Sequence, residues 1–499
     1  MRRETAILLT PHVSRLTHLT CLALYFPAVT PSPPDRSTRQ SAILAATLGA
    51  FLTPFTSSAV NLALPTIGRE FAASAVTLGW VSTANIFAAA ALVVPFSRLA
   101  DLHGRRRVFL LGVMVFTAAS LWGGVASSVA QLILARAAQG VGASAIFGTG
   151  IAILTSVLPP GERGRALGLN VAAVYLGLSL GPTLGGWLTG AFGWRSVLLV
   201  NVPIGLVLLV VLRGLHGEWA GARGERFDAP GAVLYVLMQI ALLGGLTRLS
   251  TPSGLALVAA GLAGLALFVW WERRTPSPVL DLSLLGRNTV FAMSSLAALL
   301  NYAATSAVTF LVSLYLQFAR GLTPEAAGLV LLAQPLMMML VSPLAGALSD
   351  RVEPRVPASA GMALTALGLA ALATLGRTTP LPWVVLALVV LGTGYGLFTS
   401  PNTNAAMGVV EPRQYGVASG FLGSMRLTGQ VFSMALAMLI LSVRLGHVPA
   451  AEAPPDALVA SLRTALVVFA ALCAIGVGPS LARGPVRAAG ARHPVSSDG

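Results

Sequence analysis

Polar and charged positions along this 499-residue chain come in short bursts, and long apolar stretches separate them. Each stretch runs for about 18 residues or more, enough to cross a hydrocarbon core of roughly 30 Å as an α-helix. The pattern predicts about fourteen spans, at 41–66, 77–96, 107–126, 131–157, 165–190, 196–213, 230–247, 254–272, 289–317, 325–347, 356–376, 382–406, 416–443 and 458–481. The ten-residue alternating segments of a membrane β-barrel do not occur. The expected fold is an all-α membrane protein with about 14 transmembrane helices.

Composition narrows the function classes. Hydrophobic residues make up 55% of the chain and charged residues 10%, against roughly 25% charged in soluble domains. Too little polar surface remains to face water. A net charge of +15 would suit nucleic acid, but the charges are scattered through the short bursts with no basic stripe. No nucleic-acid partner is expected, and the lipid bilayer is the surrounding phase. Arginine supplies every Lys-or-Arg position; lysine does not occur. A Walker A loop and a Schiff-base centre both need lysine, so nucleotide-driven pumping by this chain is not expected. Cys21 and Cys473 lie near opposite ends, indicating neither a disulfide framework nor a metal site. The six histidines fall outside the predicted spans and offer no catalytic constellation. A membrane-embedded enzyme is therefore disfavoured, and neither cofactor nor metal is expected.

Arginine-rich short loops stay on the cytoplasmic side of a membrane. With both termini inside, twenty-three arginines fall on that side and seven on the other. The chain is thus expected to be a multi-pass protein of the cytoplasmic (inner) membrane with both termini cytoplasmic. Residues 1–40 form an N-terminal cytoplasmic tail, read either as disordered or as an over-long start. Residues 483–499 form the C-terminal tail.

The densest burst, SRLADLHGRRR at 97–107, has an echo in GALSDRVEPR at 346–355. Aligned on the acid, Asp101 faces Asp350, and each ends the second span of a six-helix set. The echo divides the chain into an N-terminal six-helix bundle at 41–213, a linker with two additional helices at 214–287, and a C-terminal six-helix bundle at 288–482. Repeats of this kind are one design of secondary transporters, with a small-molecule substrate held between the halves. Asp101, beyond the apolar part of its span, can pair with Arg105 and Arg106 past Gly104 and with the positive N-termini of neighbouring helices. Such a cluster, with Asp350 and Arg351 as its counterpart, can latch one conformation. The same arginines also serve as topology determinants.

Polar residues inside the apolar runs are the transport-path candidates. Arg136 and Arg426 lie at hydrocarbon depth, where a guanidinium costs at least about 2.5–3.5 kcal/mol unless it meets a cavity or partners. Each either faces a cavity or ties up backbone carbonyls. Gln139 and Gln430 lie one turn away on the same faces, and Asn61, Asn301, Tyr302 and Gln334 could line a path or bridge helices. Gly177, Gly181 and Gly185 recur every four residues, so they share one helix face where backbones can approach closely, beside Pro182 and Gly186. No Asp or Glu falls mid-span. The two arginines then disfavour permanent dications and point to neutral, zwitterionic or anionic substrates.

Several of these stretches resemble the major facilitator superfamily, specifically its fourteen-helix drug:proton antiporter branch. The loop signature is matched at Arg98, Leu99, Ala100, Asp101, Gly104, Arg105 and Arg106, with Ser97 in place of its leading glycine. ARAAQGVGAS (135–144), GLSLGPTLGG (177–186), VNLALP (60–65), GWR and NVP (193–203) and RLTGQ (426–430) match at further spans. The resemblance implies a monomeric exporter of small amphipathic molecules, working by alternating access and driven by the proton gradient. It also implies a leak-preventing role for the glycine motif. One departure matters: an aspartate usual in the first span is replaced by Thr56. A proton carrier needs a group whose pKa can be moved through the working pH, so a uniporter or uptake transporter remains the alternative.

Overall fold

Among the described residues of the computed structural model, fourteen helices are long and apolar enough to cross a membrane. The structure describes residues 35–73, 75–246, 248–249, 251–286, 288–322, 324–445 and 454–484, and the account below concerns the compact unit from Ser37 onward. The expectations for both tails lie largely outside the described residues.

In order, the spans are α1 (Arg36–Leu64), α2 (Trp80–His103), α3 (Arg105–Gly124), α4 (Val129–Val157), α5 (Pro160–Phe192), α6 (Arg195–Arg213) and α7 (Ala229–Leu246). They continue as α8 (Pro252–Glu272), α9 (Thr289–Ala319), α10 (Ala326–Arg351), α11 (Arg355–Leu372), α12 (Leu381–Gly408), α13 (Pro412–Arg444) and α14 (Pro455–Ala482). No strand occurs among the described residues. The chain is a multi-pass, all-α membrane protein.

Local chemistry sets several ends. Ser128, Thr251 and Asn288 each accept a backbone N–H three residues on and so cap α4, α8 and α9. The apolar runs underestimate helices at the water side. Helix α2 continues through the charged burst to His103, because the polar groups of these buried turns find partners, as Arg98 does in Glu225 and Asp101 in Arg105. Gly104 alone separates α2 from α3. Its φ of 114° suits glycine, and a Cβ there would collide with the Glu218 carboxylate.

The outer surface is apolar. Val210, Leu237, Leu344 and Ile475 are 59–70% exposed, as lipid-facing side chains are. Contacts between the first six spans and the last six run mainly through α5 on α10 and α2 on α13. Approach is close there: a Cβ on Gly168 would lie 2.5 Å from Ser342 O.

Helices α7 and α8 pack on one another, yet only α8 is peripheral throughout. Helix α7 also touches α2 and α13, where the Tyr235 hydroxyl lies 2.7 Å from Ser424 Oγ and Gln239 donates to the same oxygen at 3.2 Å. Its apolar composition hides these two polar anchors. Helix α9 is interrupted at Ser306–Ala307 and closes with a wide turn over Tyr315–Ala319. The Ala307 N–H left by the break donates to Ser433 Oγ on α13 at 3.0 Å.

Candidate functional site

A cavity of about 200 Å³ lies in the middle of the helices, lined by α1, α2, α4 and α5 from the first six spans and by α9, α12 and α13 from the last six. Its walls are mixed. Apolar side chains such as Ile86, Val171 and Leu422 alternate with Thr53, Asn85, Asn170, Ser419 and Gln430. Neither Asp, Glu nor His lines it. Three polar atoms on its wall are buried without a hydrogen-bond partner, namely Thr53 Oγ1, Asn85 Nδ2 and Ser419 Oγ.

Arg426 supplies the cavity's positive charge. Its guanidinium carbon stands 5.5 Å from the ring centroids of both Phe147 on α4 and Tyr302 on α9, within cation–π range. Tyr175 and Tyr302 each meet Tyr395 edge-on, with centroids 5.6 Å apart. A fixed cation thus sits against an aromatic cluster contributed by α4, α5, α9 and α12.

Of the transport-path candidates, the structure brings Arg426, Gln430 and Tyr302 to this cavity and leaves the others elsewhere. Arg136 is fully enclosed. It donates to Val81 O at 3.0 Å and to Gln139 Oε1 at 2.7 Å, and Gln139 donates onward to Ser120 at 2.7 Å. This arginine ties carbonyls and helices together rather than facing the cavity. Asn61 is exposed and accepts from Ser82 at 2.5 Å. Asn301 and Gln334 are buried behind the wall, and Asn301 leaves both amide atoms unpartnered. Thr56, at the position of the missing aspartate, is buried with its hydroxyl 2.6 Å from Asn201 Oδ1 on α6. The glycine face of α5 lies on α1: a Cβ on Gly177 would come 2.7 Å from Phe51 O, and one on Gly185 would come 2.7 Å from Ala59 Cβ. Gly181 and Gly186 abut Ser58 and Leu62 in the same way, while Pro182 is exposed.

At one end of the cavity the two echoed acids make reciprocal contacts. Asp101 is fully buried and takes Arg105 Nη2 at 2.6 Å and Nε at 3.0 Å. It also accepts the first backbone N–H groups of the long helical run in α13, from Gly416 at 2.9 Å and Val417 at 2.8 Å. Asp350 accepts the backbone N–H of Gly164 at 2.8 Å and of Arg165 at 3.0 Å, in the first turns of α5. Each acid thereby binds the positive end of a helix from the opposite set of six. Arg105 crosses as well, donating to Pro412 O at 2.6 Å and lying 5.4 Å from the Tyr415 ring. Arg106 takes another course: its N–H goes to Glu218 at 2.9 Å and its guanidinium reaches Leu212 O at 3.4 Å. Arg351 is exposed, away from the Asp350 contacts.

Sequence reasoning missed the segment between α6 and α7. Trp219 O accepts from the Arg105 N–H at 3.0 Å, the Ala222 N–H donates to Asp101 O at 2.9 Å, and Glu225 pairs with Arg98 at 2.6 Å. A Cβ on Gly221 would collide with the Arg413 backbone at the start of α13. The segment is a strap across the end that carries the two acids; its alternation of acids and glycines (GLHGEWAGARGE) was the available signal. Arg483, assigned to the tail, is instead buried and holds Asn402 of the cavity wall at 3.0 Å. Burial lowers its pKa to about 10, so it stays charged at neutral pH.

A family model described as Major Facilitator Superfamily matches residues 46–434 and 294–495. The chain is 34% identical over 401 residues to "Multidrug resistance protein Stp" of Mycobacterium tuberculosis (strain CDC 1551 / Oshkosh), covering 79% of this chain and 74% of that one. It is 35% identical over 415 residues to "Cephamycin export protein CmcT" of Amycolatopsis lactamdurans, covering 81% and 85%. Among solved structures, the proton:xylose symporter XylE bound to 6-bromo-6-deoxy-D-glucose superposes with a TM-score of 0.65 at 13% identity, over 88% of this chain and 94% of that one. With fourteen spans around a cavity shared by both sets of six, and with this match along most of its length, the chain belongs to the major facilitator superfamily of membrane transporters.

Proposed function

We propose that the protein is a secondary active exporter of small amphipathic molecules, of the fourteen-helix drug:proton antiporter branch. The observation that carries this is the central cavity lined from both sets of helices and sealed at one end by reciprocal acid–helix contacts. Bundles at 41–213 and 288–482 rock about the cavity, and the Asp101 and Asp350 contacts break when it opens to the other side. The relatives named for multidrug resistance and cephamycin export support the outward direction. The arginine bias supports an inner-membrane setting with both termini and the sealed end cytoplasmic, which makes this conformation outward-facing. The protein acts as a monomer and without enzymatic chemistry. Its substrates are neutral, zwitterionic or anionic, since the cavity's fixed charge is positive.

Proton antiport supplies the drive in this reading. A uniporter is the second reading, favoured by the absence of an acid or histidine from the cavity wall. Expression in an exporter-deficient host should raise resistance to some members of a drug and metabolite panel. Vesicles with an imposed pH gradient then separate the readings: antiport accumulates substrate against its gradient, whereas uniport stops at equal concentrations. No resistance change and no flux in vesicles would reject export.

A further inference from the structure

We propose that the cavity takes a carboxylate-bearing aromatic molecule whose carboxylate docks on Arg426; this rests on the export reading above. The first support is a contrast among the arginines. Arg105, Arg136 and Arg483 are all buried, and each donates to protein acceptors: Asp101 and Pro412 O, Val81 O and Gln139 (with Nη2 of Arg136 left over), and Ser480 O and Asn402 respectively. Arg426 is half-buried at the cavity wall, and its guanidinium forms neither an ion pair nor a hydrogen bond with any described residue. What it has instead is aromatic contact, Phe147 and Tyr302 each with the ring centroid 5.5 Å from its central carbon.

The two kinds of contact use different parts of the group. Ring contacts engage the guanidinium charge, while its N–H donors need acceptors, and a carboxylate matches them in bidentate fashion. Among the described residues no carboxylate lines the cavity to compete for them. An unpaired guanidinium inside a membrane protein is expensive, so the site favours an anion from outside the chain.

The aromatic body follows from the wall. Tyr175 and Tyr302 line the cavity, each backed edge-on by Tyr395, and Val174 and Leu178 extend the apolar face. The cavity's 200 Å³ is below the roughly 300–1,000 Å³ of common ligand pockets, which suits a body of one or two rings. Asn85 Nδ2, Thr53 Oγ1 and Ser419 Oγ, buried and unpartnered, are free for a second polar group on the molecule. Phe147 comes from the first six spans and Arg426 from the last six, so the docked anion joins the two sets and its affinity responds to their rocking.

The test uses three probes of matched size: 1-naphthoate, neutral 1-naphthamide and 1-naphthylmethylammonium. Equilibrium binding is measured on the purified full chain in nanodiscs, and flux in everted vesicles. Naphthoate should bind at least about tenfold more tightly than the ammonium probe. Arg426→Gln should weaken naphthoate by about tenfold to a hundredfold, as expected for charge-assisted hydrogen bonds, and change naphthamide less than about threefold. Arg426→Lys, which keeps the charge but loses the fork, should recover part of the naphthoate affinity and guards against a fold defect in the glutamine variant. Equal losses for naphthoate and naphthamide, equal affinity for the ammonium probe, or no naphthoate binding by the wild type would overturn the site. Export of naphthamide in any of those cases would leave the export reading standing. Export of neither probe nor of any panel compound would count against both.

Discussion

Asp101 concentrates the energetics of the sealed end. It is fully buried, holds one guanidinium and two backbone N–H groups, and bridges both sets of helices. Removing one partner of a buried charge pair costs about 3–5 kcal/mol. Asp101→Asn should therefore shift the protein away from the sealed conformation and reduce transport strongly. Membrane insertion should be unchanged, because the arginines that set topology remain. Normal transport by a well-expressed Asp101→Asn protein would remove the acid from the latch. Asp350→Asn weakens the acceptor of two helical N–H groups and of the Asn404 amide; a loss of at least about 1–3 kcal/mol is expected.

Glu70 offers a pH readout at the same scale. Beyond the apolar part of α1, it accepts from Arg195 and from Trp194 Nε1, and these bonds hold its carboxyl below the ordinary 4.5. A depressed folded-state pKa stabilises above the ordinary value and stops doing so as pH falls through the depressed one. The pair is substantially exposed, so its worth is about 0–1 kcal/mol. The melting-temperature gap between wild type and Glu70→Gln in detergent should be small at pH 7 and shrink as pH falls below the ordinary 4.5 and through the depressed value. A gap that widens in acid would contradict the assignment.

At the scale of elements, the strap between α6 and α7 makes a local prediction. Gly221 packs against the Arg413 backbone without room for a Cβ. Gly221→Ala should push the strap off α13 and loosen the sealed end by about 1–3 kcal/mol, as overpacking does. With a reporter cysteine at Ser419, labelling by a polar maleimide from the sealed side should speed up relative to the parent. An unchanged labelling rate would mean that the strap lies on the seal without supporting it. Helix α7 is similar in kind: its lipid face is plain in the sequence, but Tyr235 and Gln239 reach across to Ser424, a partner 185 or more positions away. Nothing in a local pattern identifies such a partner.

For the whole molecule, alternating access demands that the sealed end part during each cycle. Arg163 in the first turn of α5 and Tyr415 in α13 meet there, with the guanidinium carbon 5.6 Å from the ring centroid. Cysteines at these two positions, joined by a short bifunctional maleimide, should abolish transport while leaving the assembled protein stable. Cleavage of a reducible version of the linker should restore it. Transport through the intact cross-link would exclude rocking as the mechanism.

By itself the sequence determined the number of spans, their approximate limits and the pairing of the two acidic motifs. These follow from hydrophobic runs, charge bursts and exact spacings, all of which are local. It also placed three glycines on one face of α5, because a four-residue spacing needs no tertiary information. The tertiary structure decided which mid-span polar groups face the cavity. Arg136 and Arg426 look alike in the chain, each inside an apolar run with a glutamine one turn away, yet one is locked among carbonyls and the other meets aromatic rings across the cavity. The difference lies in how each helix is rotated against its neighbours. That rotation comes from packing among fourteen similarly apolar helices, where the lipid removes the inside–outside contrast that patterns a soluble core.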